Sequence, residues 1–128
     1  MSNIPSISIA GRRSAADAAP YIIAELSANH NGKLETALKI IEEAKKVGAD
    51  AIKLQTYTAD TITLNCDSDE FQIRGGLWDG QTLYQLYQEA HMPWAWHKPL
   101  FEHARKLGIT IFSSPFDNTA VDLLEGLN

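Results

Sequence analysis

The chain contains a single cysteine and no long apolar segment, and both absences exclude classes of protein. Cys66 is the sole cysteine among 128 residues, so no disulfide can form within the chain, as is typical of a reducing compartment. No apolar run approaches the roughly 18–20 residues needed to span a bilayer, and residues 1–14 lack the apolar core of a signal peptide. We therefore expect a cytoplasmic protein with no membrane partner.

An excess of positive charge is also absent. The chain carries 11 Lys and Arg against 16 Asp and Glu, a net charge of −5. Proteins that bind nucleic acids or anionic membranes depend on Lys and Arg contacts with phosphates, so this balance argues against both partners. Apolar residues make up 45% and charged residues 21%, which is ordinary for a globular domain.

Strand and helix patterns alternate along the chain. Four segments are predicted as strands: residues 4–9, 21–27, 50–56 and 109–114. Four segments are predicted as helices: residues 34–47, 81–91, 96–107 and 118–126, the last with Gly126 at its C-terminus. Residues 11–20 are predicted to be a polar connector, and residues 57–80 a long loop of the functional or mobile kind. Glycines 48 and 108 are expected to end the helices that precede them.

Strands that alternate with helices predict a parallel sheet with right-handed crossovers. Two architectures fit, an open doubly wound sheet and a (β/α)8 barrel. The glycine-rich dinucleotide fingerprint is missing after strand 21–27, where SANHNG stands instead. Three βα units are about three-eighths of a barrel of ~250 residues. No strand follows the last helix, so we interpret the chain as part of a longer protein.

Polar residues near the C-terminal ends of the strands indicate a site. Side chains alternate between the two faces of a strand, and parallel strands covered on both faces are nearly all apolar. Alternation places four polar residues on one face: Glu25, Lys53, Gln55 and Ser114. In a barrel this face is the interior, and the C-terminal rim is where barrel active sites lie.

The four residues suit a small anionic substrate. Lys53 can bind a carboxylate or phosphate, Ser114 can donate to anion oxygens, and Glu25 can act on a hydroxyl or a water. Two alternatives remain open at this point. Glu25 and Lys53 can form a structural ion pair across neighbouring strands, and Ser113 and Ser114 can serve as turn and cap residues.

The histidines and aromatic residues are less informative. His30 lies in the loop Asn29–Gly32, where either asparagine can cap the next helix, and a lone histidine is no metal site. The other histidines are interpreted as surface or packing residues: His91, His97 and His103. Five aromatic residues form either a stacking surface for a sugar or a cluster that packs the long loop: Trp78, Tyr84, Tyr87, Trp94 and Trp96.

Three ordered motifs resemble the N-terminal barrel segment of the sialic acid synthase family: IIAELSANHNG (22–32), GADAIKLQTY (48–57) and GITIFSSPFDNTAVDLL (108–124). The segment GGLWDGQTLYQLYQEAHMPWAWH (75–97) resembles the pseudaminic acid synthase branch more than the N-acetylneuraminate branch. The resemblance implies a (β/α)8 barrel, of which residues 1–128 are the first part with about three βα units. The rest of the barrel and an antifreeze-like C-terminal domain would lie outside this chain.

The resemblance also implies a reaction. Family members condense phosphoenolpyruvate with an amino-sugar aldehyde, here a 6-deoxy-diacetamido altrose, to give pseudaminic acid and phosphate. By the motif match, Glu25 lies beside the aldehyde and the incoming water, and Lys53 binds the phosphoenolpyruvate carboxylate. Gln55 is a sugar-side residue, and Ser114 is an anion-binding hydroxyl where many members have threonine.

Other implied features lie outside the chain. The family uses a divalent metal, Mn²⁺ or Mg²⁺, whose histidine ligands are on later strands, and the full-length enzyme is expected to be a homodimer. The chain alone is therefore expected to be inactive. The alternatives are an N-acetylneuraminic acid synthase, a Schiff-base aldolase that uses Lys53, and a non-catalytic remnant or binding module.

Overall fold

From residue 23 onward, each strand is followed by one or more helices in the computed structural model, which describes residues 4–127. The elements are β1 (Ser6–Ile9), β2 (Arg12–Ala15), β3 (Ile23–Glu25), α1 (Leu34–Lys46), β4 (Ala51–Thr56), α2 (Ala59–Ile62), α3 (Leu83–Ala90), α4 (Trp94–Leu107), β5 (Thr110–Pro115) and α5 (Asn118–Glu125). Each predicted strand and helix is present, and most of their ends differ from the predictions by a few residues. Among residues 4–127, no helix combines the length and the apolar character needed to cross a bilayer.

The strands β3, β4 and β5 form one parallel sheet in sequence order. Residue 25 pairs with residue 53, and residue 55 pairs with residue 114. Strands that neighbour each other in both sequence and space, with helices between them, are the βα units that the sequence predicts. The register brings the polar C-terminal ends of the three strands to one edge of the sheet.

The N-terminal residues form a β-hairpin. Strand β1 pairs antiparallel with β2, and Ile9 lies opposite Arg12. The loop is therefore Ala10–Gly11, and the positive φ angles of both residues, 49° and 80°, are those of a type I′ turn. The prediction of a connector over residues 11–20 was wrong for β2. Its sequence RRSA has no alternating apolar pattern, and its strand geometry comes from pairing with β1.

The hairpin is attached to the start of β4 through one side chain. Arg12 forms an ion pair with Asp50 and donates a hydrogen bond to the Pro20 carbonyl at 3.0 Å. Asp50 in turn accepts from the backbone N–H of Ile22 at 2.7 Å, and this bond, with the Arg12 guanidinium, lowers the pKa of the Asp50 carboxyl. These contacts place the hairpin against the N-terminal end of the sheet.

Helices α1 and α4 cover one face of the sheet. The buried core between them includes Leu26, Ala37, Ile41, Ile52, Leu54, Leu100 and Ala104. Helix α1 contributes Ala37, Ile41 and Ala44, a stripe at the helical spacing. The chain turns with positive φ at Gly48 and Gly108, as predicted for the ends of α1 and α4.

Two helix boundaries differ from the predictions. Helix α4 begins at Trp94 rather than residue 96, so Pro99 lies in its second turn and not in its first. Proline has no N–H, and the carbonyl of residue 95 therefore lacks its helical donor. Helix α3 begins at Leu83 because Thr82 caps it: the Thr82 hydroxyl accepts from the Gln85 N–H at 3.2 Å.

Candidate functional site

The two faces of the three-stranded sheet differ in what covers them. On the helix-covered face, the side chains of Ile52, Leu54 and Thr56 are fully buried. On the opposite face, which we call the helix-free face, the alternate residues Lys53 and Gln55 are half-buried. The structure therefore places the predicted polar residues on the face where a ligand can reach them.

The first polar layer of the helix-free face is formed by Glu25 and Lys53. The Lys53 ammonium lies 2.5 Å from a Glu25 carboxylate oxygen. The two side chains remain 47% (Glu25) and 28% (Lys53) exposed. An ion pair this exposed contributes about 0–1 kcal/mol to stability. The ion pair of the alternative interpretation is thus present, and both charges are accessible to a ligand.

The second polar layer is formed by Gln55 and Ser114, which are in register on β4 and β5. Two residues of strand separate it from the first layer, a distance of about 6–7 Å. Both side chains are half-buried. A three-carbon anion with an attached phosphate is long enough to touch an ammonium in the first layer and a hydroxyl in the second.

An aromatic layer follows the two polar layers. Phe116 donates its backbone N–H to the Thr56 carbonyl at 3.2 Å, the last hydrogen bond between the backbones of the two strands. The ring of Tyr57 lies 5.4 Å from that of Phe116 and 5.6 Å from that of Tyr87. Burial raises the pKa of Tyr57. This layer was not predicted from the sequence, although Tyr57 and Phe116 each stand two positions after a predicted site residue.

A second feature that the sequence analysis missed lies behind these layers, on the helix-covered face. The Thr56 hydroxyl is 2.8 Å from Nε2 of His97 and 2.6 Å from the Ser113 hydroxyl. His97 is fully buried, and this burial lowers its pKa. The interpretation of His97 as a packing residue was therefore incomplete, because its ring nitrogens are hydrogen-bonded.

The loop after β3 has a structural role in the described residues. His30 is 1% exposed, its Nδ1 accepts from the Gly32 N–H at 3.0 Å, and burial lowers its pKa. The prediction that an asparagine caps α1 was wrong, because the N-cap is Lys33 and has no side-chain cap bond. Asn29 instead donates to the Leu26 carbonyl at 3.0 Å, which fixes the exit of β3.

The five aromatic residues do not form one stacking surface. Trp96 packs edge-to-face on His30 at 5.3 Å, and Trp94 packs on His97 at 5.8 Å. Trp78 lines a separate cleft with Asn31 and Glu89. The Tyr84 hydroxyl donates to Asp60 at 2.9 Å. The aromatic side chains therefore hold the loops and helices together at several places, and Tyr87 alone joins the aromatic layer.

The described residues do not fit a divalent metal. Within residues 4–127, no three His, Cys, Asp or Glu side chains lie close enough to share an ion. The Glu25 carboxylate is already paired with Lys53, and one carboxylate is too few ligands for a bound Mn²⁺ or Mg²⁺.

Comparison with known proteins identifies relatives of this chain. A pseudaminic acid synthase of Campylobacter jejuni is 58% identical over 105 residues, which are 82% of this chain and 31% of that protein. An N,N'-diacetyllegionaminic acid synthase of the same organism is 39% identical over 107 residues, 83% of this chain and 32% of that protein. This chain thus spans about a third of the length of these relatives.

A solved structure supports the same relationship. The N-acetylneuraminic acid synthetase of Leptospira borgpetersenii superposes with a TM-score of 0.76 at 26% sequence identity, over 98% of this chain and 39% of that protein. The three βα units thus match the corresponding part of a sialic acid synthase (β/α)8 barrel, as predicted. The NeuB family model matches residues 40–128, which include β4, β5 and the helices between them. The chain therefore belongs to the NeuB family.

Proposed function

We propose that this chain is the N-terminal barrel part of a pseudaminic acid synthase. The full-length enzyme condenses phosphoenolpyruvate with a 6-deoxy-diacetamido altrose and forms pseudaminic acid and phosphate. One observation supports the proposal most strongly: the ammonium of Lys53, paired with Glu25, lies one layer below Gln55 and Ser114 on the helix-free face. Strand alternation and the family motifs both point to the same four residues.

Lys53 binds the carboxylate of phosphoenolpyruvate in this proposal. Its ammonium is 2.5 Å from Glu25, so an incoming carboxylate replaces one anionic partner by another and leaves no unpaired charge on the lysine. Ser114, in the next layer, donates its hydroxyl to an anion oxygen of the same substrate. The two contacts orient the substrate along β4 and β5.

Glu25 then acts on water. Carbon 3 of phosphoenolpyruvate forms a bond to the aldehyde carbon, which leaves carbon 2 electron-deficient. Water adds to carbon 2 with loss of a proton, and the former aldehyde oxygen gains a proton. The bond from carbon 2 to the bridging oxygen then breaks, so that phosphate leaves and carbon 2 becomes the keto carbon. Once the substrate carboxylate pairs with Lys53, the Glu25 carboxylate is free to accept a hydrogen bond from this water and to orient it. Gln55 offers an amide to the polar groups of the sugar.

The remaining parts of the enzyme are proposed to lie outside residues 1–128. They comprise the rest of the barrel, the antifreeze-like domain and the histidine ligands of the divalent metal, Mn²⁺ or Mg²⁺, which polarises the aldehyde when bound. Residues 1–128 alone are proposed to be inactive. The full-length protein is proposed to be a homodimer of the cytoplasm.

The test is phosphate release by the full-length protein. We expect release from phosphoenolpyruvate with the 6-deoxy-diacetamido altrose, and much slower release with N-acetylmannosamine. The higher identity to a pseudaminic acid synthase than to a legionaminic acid synthase motivates this order. Faster turnover of N-acetylmannosamine would instead identify an N-acetylneuraminic acid synthase, and no turnover of any amino sugar would favour a remnant or binding module.

The aldolase alternative requires a different state of Lys53. An imine forms from a neutral amine, whereas Lys53 is held against a carboxylate. We expect borohydride treatment in the presence of pyruvate to leave Lys53 unmodified, as read by peptide mass spectrometry. A reduced pyruvate adduct on Lys53 would contradict the synthase proposal and establish the aldolase.

A further inference from the structure

A chain of three polar side chains crosses the buried side of the sheet behind Gln55 and Ser114. Thr56 is on β4, Ser113 is on β5 and His97 is on α4. Thr56 and His97 are fully buried, and the Thr56 hydroxyl contacts both partners, at 2.8 Å and 2.6 Å. The three groups belong to the helix-covered face, so they do not contact a substrate bound on the helix-free face.

The direction of each hydrogen bond among these three side chains follows from the donors and acceptors available. Nδ1 of His97 lies 3.2 Å from the carbonyl oxygens of Pro93 and Trp94. Carbonyl oxygens only accept, so Nδ1 carries a proton. A charged imidazolium without an anionic partner is costly in a buried position, and the ring is therefore neutral with Nε2 unprotonated. Thr56 donates to Nε2, and its oxygen accepts from Ser113.

The register of β4 and β5 shows why these three hydrogen-bonded side chains bear on the site. On the two strands, the pair Gln55 and Ser114 is flanked by residue 54 paired with 113 and residue 56 paired with 115. Thr56 and Ser113 are thus the chain neighbours of the two site residues, and their side chains are directed to the opposite face. The hydroxyl contact between them joins β4 to β5 behind the Gln55–Ser114 layer.

The hydroxyl contact between Thr56 and Ser113 lies near the C-terminal ends of the two strands. Strand β4 ends at Thr56 and β5 at Pro115, and beyond them the chain turns into loops. The bond from the Phe116 N–H to the Thr56 carbonyl is 3.2 Å long. A directional side-chain link to a helix restrains the strand ends where backbone pairing stops.

We propose that His97 is a positioning residue for the Gln55–Ser114 layer. By accepting from Thr56, it orients the Thr56 and Ser113 hydroxyls so that they hold the ends of β4 and β5 at one separation. Gln55 and Ser114 then stand at a fixed distance across the sheet. That these two residues bind the sugar and the phosphoenolpyruvate rests on the proposed function above.

The kinetic test compares Thr56→Val with Thr56→Ser in the full-length protein. Valine keeps the shape and removes the hydroxyl, whereas serine keeps the hydroxyl. We expect valine to lower kcat/KM for both substrates by about 10- to 100-fold, since small misplacements of binding groups cost up to about 100-fold. We expect serine to stay within about 3-fold of the parent on the same scale. Thr36→Val, on α1 and away from both layers, is the control.

The same prediction applies at His97. His97→Leu removes the acceptor and is expected to match the loss in Thr56→Val. His97→Gln places an amide oxygen where Nε2 stands and is expected to recover most of the activity. Because the two residues act through one bond, the double variant Thr56→Val with His97→Leu is expected to lose little more than either single variant. If the fold-losses of the two single variants instead multiply in the double variant, the proposal is overturned.

A purely structural role predicts a different outcome. Activity is therefore expressed per folded molecule, with the folded fraction measured by circular dichroism at the assay temperature. Losses that disappear after this correction overturn the positioning role. Unchanged kcat/KM in Thr56→Val also overturns it.

A readout without catalysis separates this inference from the proposed function. The ¹⁵N spectrum of labelled histidine, assigned with His97→Gln, is expected to show His97 protonated at Nδ1 and unprotonated at Nε2. Crystal structures of the parent and of Thr56→Val are expected to differ in the Gln55 to Ser114 separation. Should the parent protein release no phosphate, these two measurements still decide the positioning role. A protonated Nε2 or an unchanged separation overturns it.

Discussion

From Ile52 to Thr56, the two faces of strand β4 differ in burial although their residues alternate one by one. Ile52, Leu54 and Thr56 face the helices and are fully buried. Lys53 and Gln55 face away from the helices and are half-buried. Polar atoms on the covered face are held in short hydrogen bonds, as at Thr56, because an unpaired buried hydroxyl costs about 1–3 kcal/mol.

A polar residue therefore has a different role on each face. On the covered face it must find a protein partner, so it acts on the position of the backbone. On the helix-free face the charges of Lys53 and Glu25 are partly exposed, so a ligand can replace their mutual contact at little cost. Truncation of an apolar side chain on the covered face should therefore change stability most, and truncation of a polar side chain on the helix-free face should change activity most.

The largest effect is expected from Lys53→Met on the helix-free face. Removal of the ammonium should lower kcat/KM for phosphoenolpyruvate by about 10²- to 10³-fold, the usual cost of losing one charge-stabilising donor. The melting temperature should change little, because an exposed ion pair contributes about 0–1 kcal/mol. Phosphate release by the full-length protein measures the first quantity. Lys39→Met, an exposed lysine on α1, should retain activity, and equal losses in both variants would refute the assignment.

The opposite behaviour is expected from Leu54→Ala on the covered face. Truncation of a fully buried leucine leaves a cavity and should destabilise the protein by about 2–5 kcal/mol, measured by urea denaturation. Gln55→Ala, the next residue along the strand, should change stability by less than about 1 kcal/mol but weaken sugar binding. A similar stability loss in both variants would show that the two faces are not distinct.

An intermediate effect is expected from the pH dependence of stability. Burial holds the pKa of His97 below its ordinary value of 6.5, so the unfolded chain binds a proton that the folded chain does not. The stabilisation is therefore present above about pH 6.5 and is lost as the pH falls towards the lowered pKa. The slope should reach at most about 1.4 kcal/mol per pH unit.

The matched variant for this prediction is His97→Gln, which cannot titrate. Urea denaturation between about pH 7.5 and 5 should show a shallower decline of stability in the variant than in the parent. Some decline should remain, because burial also lowers the pKa of His30. Parallel curves for the two proteins would mean that His97 binds its proton equally well in the folded and the unfolded protein.

The smallest effect is expected where the hairpin is attached to the N-terminal end of the sheet. Arg12→Ala breaks the ion pair with Asp50 and the bond to the Pro20 carbonyl and should lower stability by about 1 kcal/mol or less. The control is Arg13→Ala, whose pair with Asp17 has both side chains nearly half exposed and should contribute less. Equal shifts in melting temperature would show that the Arg12 contact does not hold the hairpin.

By itself, the sequence determined the order of the parallel strands and helices and the face on which Glu25, Lys53, Gln55 and Ser114 lie. These features follow from local rules, since side chains alternate along a strand and helices repeat every 3.6 residues. The ends of α1 and α4 were predictable for the same reason, because Gly48 and Gly108 adopt the positive φ that other residues avoid.

Only the tertiary structure decided the features that depend on distant partners. Strand β2 exists because β1 pairs with it, although its own residues carry no strand pattern. The link from Thr56 to His97 joins residues 41 positions apart, and no local period indicates it. Hydrogen bonds between distant side chains depend on how a helix packs against a sheet, and that packing arises from the summed burial of many apolar residues rather than from any single motif.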